Sequence, residues 1–496
     1  MRTIVRSRHI FDGTGTQPFL GYLEIRGPFI TRVEHGWDYN IGEHDRLVKY
    51  DDQFVMPGLH DNHVFFSGWM ATQAGLDLSQ VSTPQEALVI IGAWAQNHPG
   101  EPVYAHGWNR AAWGDIPGRD LLDNATGIPA HTPVAAIDAD RTRYWMNTAA
   151  VGRYGFDEDQ LSAESRVRLI HEMTHNASLV RTMWKRFETL LLSRGVVSVK
   201  DIVFDNCDVH EAIDERLLDT SMVIEAVRGP FDKPLINRYL KRSFSPRVCF
   251  GGVKIMVDGV VADKTGDING QYVNAGAVPI IDYDAIESEV AYLSERGVSC
   301  CLTAEGDRAI ERCAALLARH ASSQVHHSIS DMEMVSDLAA RIMGDAGITA
   351  EPYPQILGLN PSYDEAYMPN VIEGESGASF FHYTHLVRHH VNVTCGTDCP
   401  LFITNLPESI LRASNRAFDD SGRRWFPEYA MPKTVLLAAW THTGGPAERD
   451  QSRQLKRGNP ATYVVFDRDL ITADDNGLKQ AYVVETVIDG HTVYSA

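Results

Sequence analysis

Five short runs carry groups able to hold a divalent ion or move a proton. VMPGLHDNHVFF brings Asp61 and His63, GGVKIMVDG brings Lys254, CLTAEGDRAI brings Thr303 and Asp307, VHHSISD brings His326 and His327, and CGTDCPLF brings Asp398. Imidazoles and carboxylates are the usual metal ligands and acid-base groups of hydrolytic sites. Each taken alone has a plainer reading. A histidine near a strand end more often hydrogen-bonds its loop than a metal, and Asp307 and Asp398 suit helix caps. Lys254 is harder to dismiss. It interrupts the apolar run Gly252 to Val257, where a long cation must be desolvated unless it meets an acid such as Asp258 or is chemically modified.

These groups need elements to position them, and short apolar runs supply candidate strands. They are Phe54 to Met56, Val103 to Ala105, Val134 to Ile137, Val196 to Val199, Val253 to Val257, Val298 to Leu302, Ile348 to Ala350 and Val391 to Cys395. Apolar residues recurring every three or four positions predict helices at Pro84 to Gln96, Ser178 to Arg194, Tyr283 to Arg296, Asp307 to Ala321 and Lys433 to Ala439, with Gly195 and Gly297 as C-caps. Strand-then-helix order over residues 54–446 predicts an α/β fold, a distorted (β/α)8 TIM-type barrel with insertions, whose active site faces the C-terminal strand ends. Residues 1–53 and 447–496 are β-rich runs broken by turns. Because chain ends often lie close together, they are expected to form one small β-sandwich.

Composition narrows the partners. A formal charge of -20 repels phosphate backbones and anionic lipid, so neither nucleic acid nor a membrane surface is expected, and a small-molecule substrate is. Seven cysteines with no CxxC pair argue against a disulfide framework and for a reducing compartment. With no run of roughly 18 apolar residues and no apolar central region in the first residues, a cytoplasmic protein is expected.

Taken together, Pro57-Gly58 before Asp61-x-His63, GVKIMVDG, GDRAI at 306–310, His327, GTDCP at 396–400, LKRGNPATYVVFD, HGWNRAAW at 106–113 and YWMNTAAV at 144–151 form one pattern. It resembles the amidohydrolase superfamily, specifically the large-insert subgroup that includes N-substituted formamide deformylases. The resemblance implies a metal-dependent hydrolase acting on a C–N bond of a small amide, formamide or cyclic amide. Its divalent ions, usually zinc, would be held by His63, by Lys254 carboxylated on its amine, by His327 and by Asp398. Asp398, His327 and Lys254 would be catalytic, with Asp398 moving the proton from metal-bound water to the leaving nitrogen. A homodimer follows by analogy.

Two positions depart from that pattern. Phe65 stands where the second histidine of a His-x-His pair belongs, and Thr303 where a fifth-strand histidine belongs. One ion rather than two is therefore expected. Strand alternation would put residue 65 on the side of residue 63 and would let only one of His326 and His327 face the mouth, the match favouring His327. His60, Glu305, His326 and Cys399 are neighbouring substitutes. The missing ligands also leave room for a lyase or decarboxylase using Asp398 and His327 as acid and base, or for a silent ligand-binding barrel. Trp69, Trp108, Trp113, Tyr144 and Trp145 could line a pocket and Arg110, Arg141 and Arg143 greet a carboxylate, or the aromatics could simply pack under long loops.

Overall fold

β-branched and aromatic alternation at the chain start produces four strands, β1 (Arg2–Ile10), β2 (Phe19–Arg26), β3 (Phe29–His35) and β4 (Arg46–Pro57), in a computed structural model of the chain. The structure describes residues 2–155, 163–205, 207–226, 230–242, 244–274, 280–358, 370–374, 379–418, 421–442 and 454–496. Gly58 separates β4 from β5 (Leu59–Val64), the first barrel strand. Four short strands follow, β6 (Leu76–Asp77), β7 (Val103–Trp108), β8 (Val134–Asp138) and β9 (Tyr144–Met146). The chain then returns through β10 (Val196–Phe204), β11 (Asp219–Glu225), β12 (Val248–Met256), β13 (Cys300–Ala304), β14 (Ser328–Asp331) and β15 (Thr349–Pro352). It ends in β16 (Tyr463–Phe466), β17 (Val483–Ile488) and β18 (His491–Ser495).

Contacts divide the chain into two compact units, one of Met1–Val64, Glu188–Ile202 and Arg216–Ala496, the other of Phe65–Phe187 and Val203–Glu215. In the first unit, β5 and β10 to β15 form a parallel sheet in the order β15-β14-β13-β12-β11-β10-β5. The eighth position is filled by the run 391–399. Ala350 N donates to Asn392 O at 2.8 Å and Asn62 N to Cys395 O at 2.9 Å, with parallel bridges Ala350 to Val393 and Val64 to Cys399, so this run closes the barrel between β15 and β5. Gly396 permits the approach, because a Cβ there would lie 2.7 Å from His63 Cβ.

The two ends of the chain share one sheet of order β18-β17-β16-β4-β1-β2-β3. Ile30 N donates to Asn459 O and Gly458 N to Ile30 O, which pairs β3 with the run entering β16. The sheet thus curls over a core of Val5, Leu23, Ile30, Val55, Tyr463 and Val487, the small β-domain expected of two β-rich ends.

Three strand expectations are corrected. Phe54 to Met56 belong to β4, paired with β1 and β16, and not to the barrel. Val103 to Ala105 and Val134 to Ile137 lie in β7 and β8, which form a separate four-stranded sheet of order β6-β7-β8-β9 in the second unit. β11 supplies a barrel strand that the apolar runs did not reveal. Trp108 and Trp145 are core residues of the second unit and Trp113 packs against them, partly buried: their indole N–H groups, in the order Trp108, Trp113 and Trp145, donate to the carbonyls of Ala136, Val81 and Gly118 at 2.9, 3.1 and 3.3 Å. Among the described residues no helix is long and apolar enough to cross a membrane.

Candidate active site at the barrel mouth

The barrel interior is built in layers because strand side chains alternate. On β13, Cys301 and Thr303 share one face, and Glu305 follows just past the end of the strand. Cys301 lies level with Lys254 and Ser328, and Thr303 with Ser330. The lower layer holds a buried ion pair. Lys200 Nζ reaches both carboxylate oxygens of Glu351 at 2.5 Å, and Cys301 Sγ lies 3.5 Å from Glu351 Oε2.

The upper layer gathers groups able to move protons. His63 enters it by an irregularity in β5: Val199 pairs with Asp61 and Asp201 with Val64, so β5 carries one extra residue, a bulge that re-aims its end. Its Nε2 faces Asp398 Oδ1 at 3.8 Å, and its Nδ1 meets the Tyr353 hydroxyl at 2.7 Å. Tyr353 lies 3.5 Å from Asp331 Oδ2, which also accepts from Ser330 Oγ at 3.0 Å. Asp398 and Asp331 both leave their strands in left-handed backbone, at φ 50° and 71°, a conformation uncommon outside glycine and concentrated at functional sites.

Burial, with the charges of Lys254 and Lys200, holds the His63 imidazole well below its ordinary range and therefore neutral. Asp398 keeps 42% of its side-chain surface open to the mouth. Desolvation in that recess and the neighbouring Asp331 charge push its carboxyl up to about 7, against the pull of Lys254. Lys254 is buried in β12. Desolvation alone would lower it, but Glu225, Asp331 and Asp398 outweigh burial and hold it as an ammonium. Its nearest acid is Glu225 on the adjoining strand, 3.4 Å away, and not Asp258, which instead accepts backbone N–H groups of Asp267, Glu305 and Gly306.

The site residues expected from the sequence divide accordingly. His63, Lys254 and Asp398 come together at the mouth, and His327 does not. β14 begins at Ser328, so His327 precedes it at the opposite end of the barrel. There Nδ1 accepts from Cys300 N at 3.1 Å and Nε2 lies 3.2 Å from Ser294 Oγ, at the end of the preceding helix. The residue that β14 delivers to the mouth is Asp331, and Tyr353 just past β15 was also missed. Both stand where a barrel strand ends, the one signal that could have found them.

Thr303 does lie in the barrel, but its hydroxyl is 3.0 Å from Ser330 Oγ and braces the strand end that carries Asp331. β5 stops at Val64, so alternation does not extend to Phe65. That residue begins the second unit, its ring centroid 4.8 Å from that of Phe204. His60 has both ring nitrogens engaged, by Ser198 Oγ at 2.8 Å and Asn62 Oδ1 at 2.9 Å. Asp61 is fully buried and accepts from Thr397 N, Thr397 Oγ1 and Thr404 Oγ1 at 3.1, 2.7 and 2.5 Å, a clamp that ties the loop of Asp398 to β5.

The donor set tests whether a metal fits. His63 Nε2 and Asp398 Oδ1 face each other at 3.8 Å, a separation two ligands of one ion could share, but Lys254 is paired with Glu225 and His327 lies at the other end of the barrel. Among the described residues no three His, Cys, Asp or Glu side chains gather as a metal-binding group. The four-ligand zinc set implied by the resemblance therefore does not fit the described side chains.

Similar folds carry related names. A structure titled an uncharacterized metal-dependent hydrolase from Pyrococcus furiosus matches with a TM-score of 0.74 at 16% identity, covering 95% of this chain and 100% of that one. A counterpart from Pyrococcus horikoshii OT3 matches at 0.73 and 15%, covering 96% and 99%. Ochratoxinase of A. niger matches at 0.55 and 13%, covering 100% and 96%. At these identities the likeness is one of fold. No curated protein matches the chain. The model of the amidohydrolase family, Amidohydro_3, matches residues 51–494, and the chain belongs to that family.

Proposed function

We propose that this chain is a hydrolase that cleaves a carbon–nitrogen bond of a small amide, formamide or cyclic amide at the barrel mouth. The observation that carries the reading is the convergence there of Asp398, neutral His63 and the Lys254 ammonium, with Tyr353 and Asp331 behind them. Family membership supports hydrolysis, and the Pyrococcus neighbours are titled hydrolases.

Each role follows from the group's own chemistry. Asp398 takes a proton from the attacking water and returns it to the leaving nitrogen, a task suited to a carboxyl whose affinity for protons lies near neutrality. His63 orients that water through Nε2. Tyr353 fixes the tautomer: with its own proton directed at Asp331, its oxygen accepts from Nδ1–H and leaves the lone pair on Nε2. The Lys254 ammonium supplies positive charge for the oxygen of the attacked carbonyl. No step is assigned to a metal, because the described side chains do not assemble its donors.

The test is release of amine and acid from a panel of N-formyl amines, N-acyl amines and cyclic amides, with zinc, iron and manganese measured in the same preparation. Asp398→Asn should lower kcat/KM by about 10²-fold or more while leaving the circular dichroism spectrum unchanged. The parent should lose activity as pH falls below about 7, and this limb should vanish in the variant. Turnover retained by Asp398→Asn would remove Asp398 from the chemistry. Release of carbon dioxide without hydrolysis would select the lyase reading.

A further inference from the structure

Just past the end of β13 stands Glu305, whose residue surface is 7% exposed and whose electrostatic neighbours include Asp331 and Asp398. Only the backbone of Glu305 is hydrogen-bonded: its N–H donates to Asp258 and its carbonyl accepts from Met334 N. Among the described residues its carboxylate has no hydrogen-bond or ion-pair partner. Its electrostatic neighbours are Glu333, Asp331, Asp258 and Asp398, all acids. Asp258 is spent on backbone N–H groups, and Glu333 accepts from Val261 N at 3.0 Å. Lys254 pairs with Glu225 and makes no ion pair with Glu305. The mouth is therefore short of positive charge at one identifiable place.

Ionising a buried carboxyl without a partner is expensive, and a cation brought by a ligand would relieve the cost. We propose that Glu305, backed by Asp331, is the subsite for a cationic group of the substrate, an ammonium or guanidinium on the amide that is cleaved. The proposal rests on the hydrolase reading for the location of the scissile bond. The arrangement has a built-in preference: a neutral substrate leaves Glu305 protonated and unpaired, whereas a cationic one displaces that proton to solvent and forms a charge-assisted pair in the recess. In keeping with this, burial and its acidic neighbours push the Glu305 carboxyl up to about 11, so it holds its proton in the empty site and gives it up only when a cation enters.

The experiment is equilibrium binding by calorimetry of N-(4-aminobutyl)formamide and its neutral isostere N-pentylformamide to the full chain, Asp398→Asn being used wherever turnover interferes. The cationic formamide should bind about tenfold or more tighter. Glu305→Gln should abolish this preference, and Glu305→Asp, which keeps the charge one methylene further back, should retain part of it. Equal affinity of the two formamides for the parent, or an undiminished preference in Glu305→Gln, overturns the proposal. So does the alternative source of a cation: stoichiometric zinc or manganese binding that Glu305→Gln removes and that displaces the aminobutyl compound. Failure of the hydrolase reading shows separately, as absence of cleavage of either formamide by the parent while the binding preference stands.

Discussion

Glu305 and Asp398 are two carboxyls raised by the same surroundings to different degrees, and the difference assigns them different work. Asp398, at about 7 and open to the mouth, exchanges protons near neutrality. Glu305, at about 11, keeps its proton through that range. A carboxyl raised on folding stabilises the folded state at low pH, below its unfolded value, and loses that contribution as pH rises toward the folded one. The Glu305 contribution should therefore decline from about pH 4.5 upward. Glutamine copies the protonated carboxyl but cannot ionise. Glu305→Gln should lie within about 1 kcal/mol of the parent's stability at about pH 5 and exceed it by up to about 5 kcal/mol at about pH 8, measured by urea unfolding. A parent more stable than the variant at the higher pH would mean that Glu305 is ionised and already paired.

The elements decide whether such side chains meet, and here strand register matters more than residue type. On β12, Met222 pairs with Phe250 but Val223 with Gly252, so Gly251 is an extra residue opposite β11. Gly252 follows at φ 133°, and a Cβ there would stand 2.3 Å from the backbone oxygen of Ser299. Only glycine lets β12 and β13 approach so closely two residues before Lys254. Gly252→Ala should cost about 2 to 3 kcal/mol in thermal or urea unfolding. It should also depress activity, since moving β12 moves Lys254; an alanine variant of parental stability would refute the close approach. The same sensitivity limits what sequence can reveal. Lys254, His63 and Asp398 were legible because an apolar run or a Gly-Thr-Asp turn brackets each of them. His327 was not: β14 is only four residues long, and a shift of a few positions in where it starts moves the mouth residue from His327 to Asp331. Glu225 and Tyr353 escaped for a related reason, since their importance appears only when neighbouring strands bring Lys254 and His63 beside them.

At the scale of the whole molecule, the (β/α)8 order was readable because its strand and helix periods alternate along most of the chain, and the paired β-rich ends because both are cut by turns. The separate sheet β6 to β9 was not, because its strands have the same local period as barrel strands and only pairing distinguishes them. Net charge, by contrast, is fully legible, and it acts at a distance that no contact does. With 65 acidic against 45 basic side chains, the field of the molecule attracts cations toward a mouth that is itself acidic. Such steering raises the association rate and is screened by salt, the Debye length falling from about 30 Å at 0.01 M to about 8 Å at 0.15 M. Stopped-flow association of N-(4-aminobutyl)formamide should therefore slow several-fold over that range, while N-pentylformamide should be nearly unaffected. Glu305→Gln removes one acid among 65 and leaves the long-range field almost intact. It should keep the salt slope of association and raise the dissociation rate, because pairing in the recess governs departure and the field governs arrival. If the variant instead lost the salt slope while dissociating as slowly as the parent, Glu305 would be acting as part of the approach and not as the subsite.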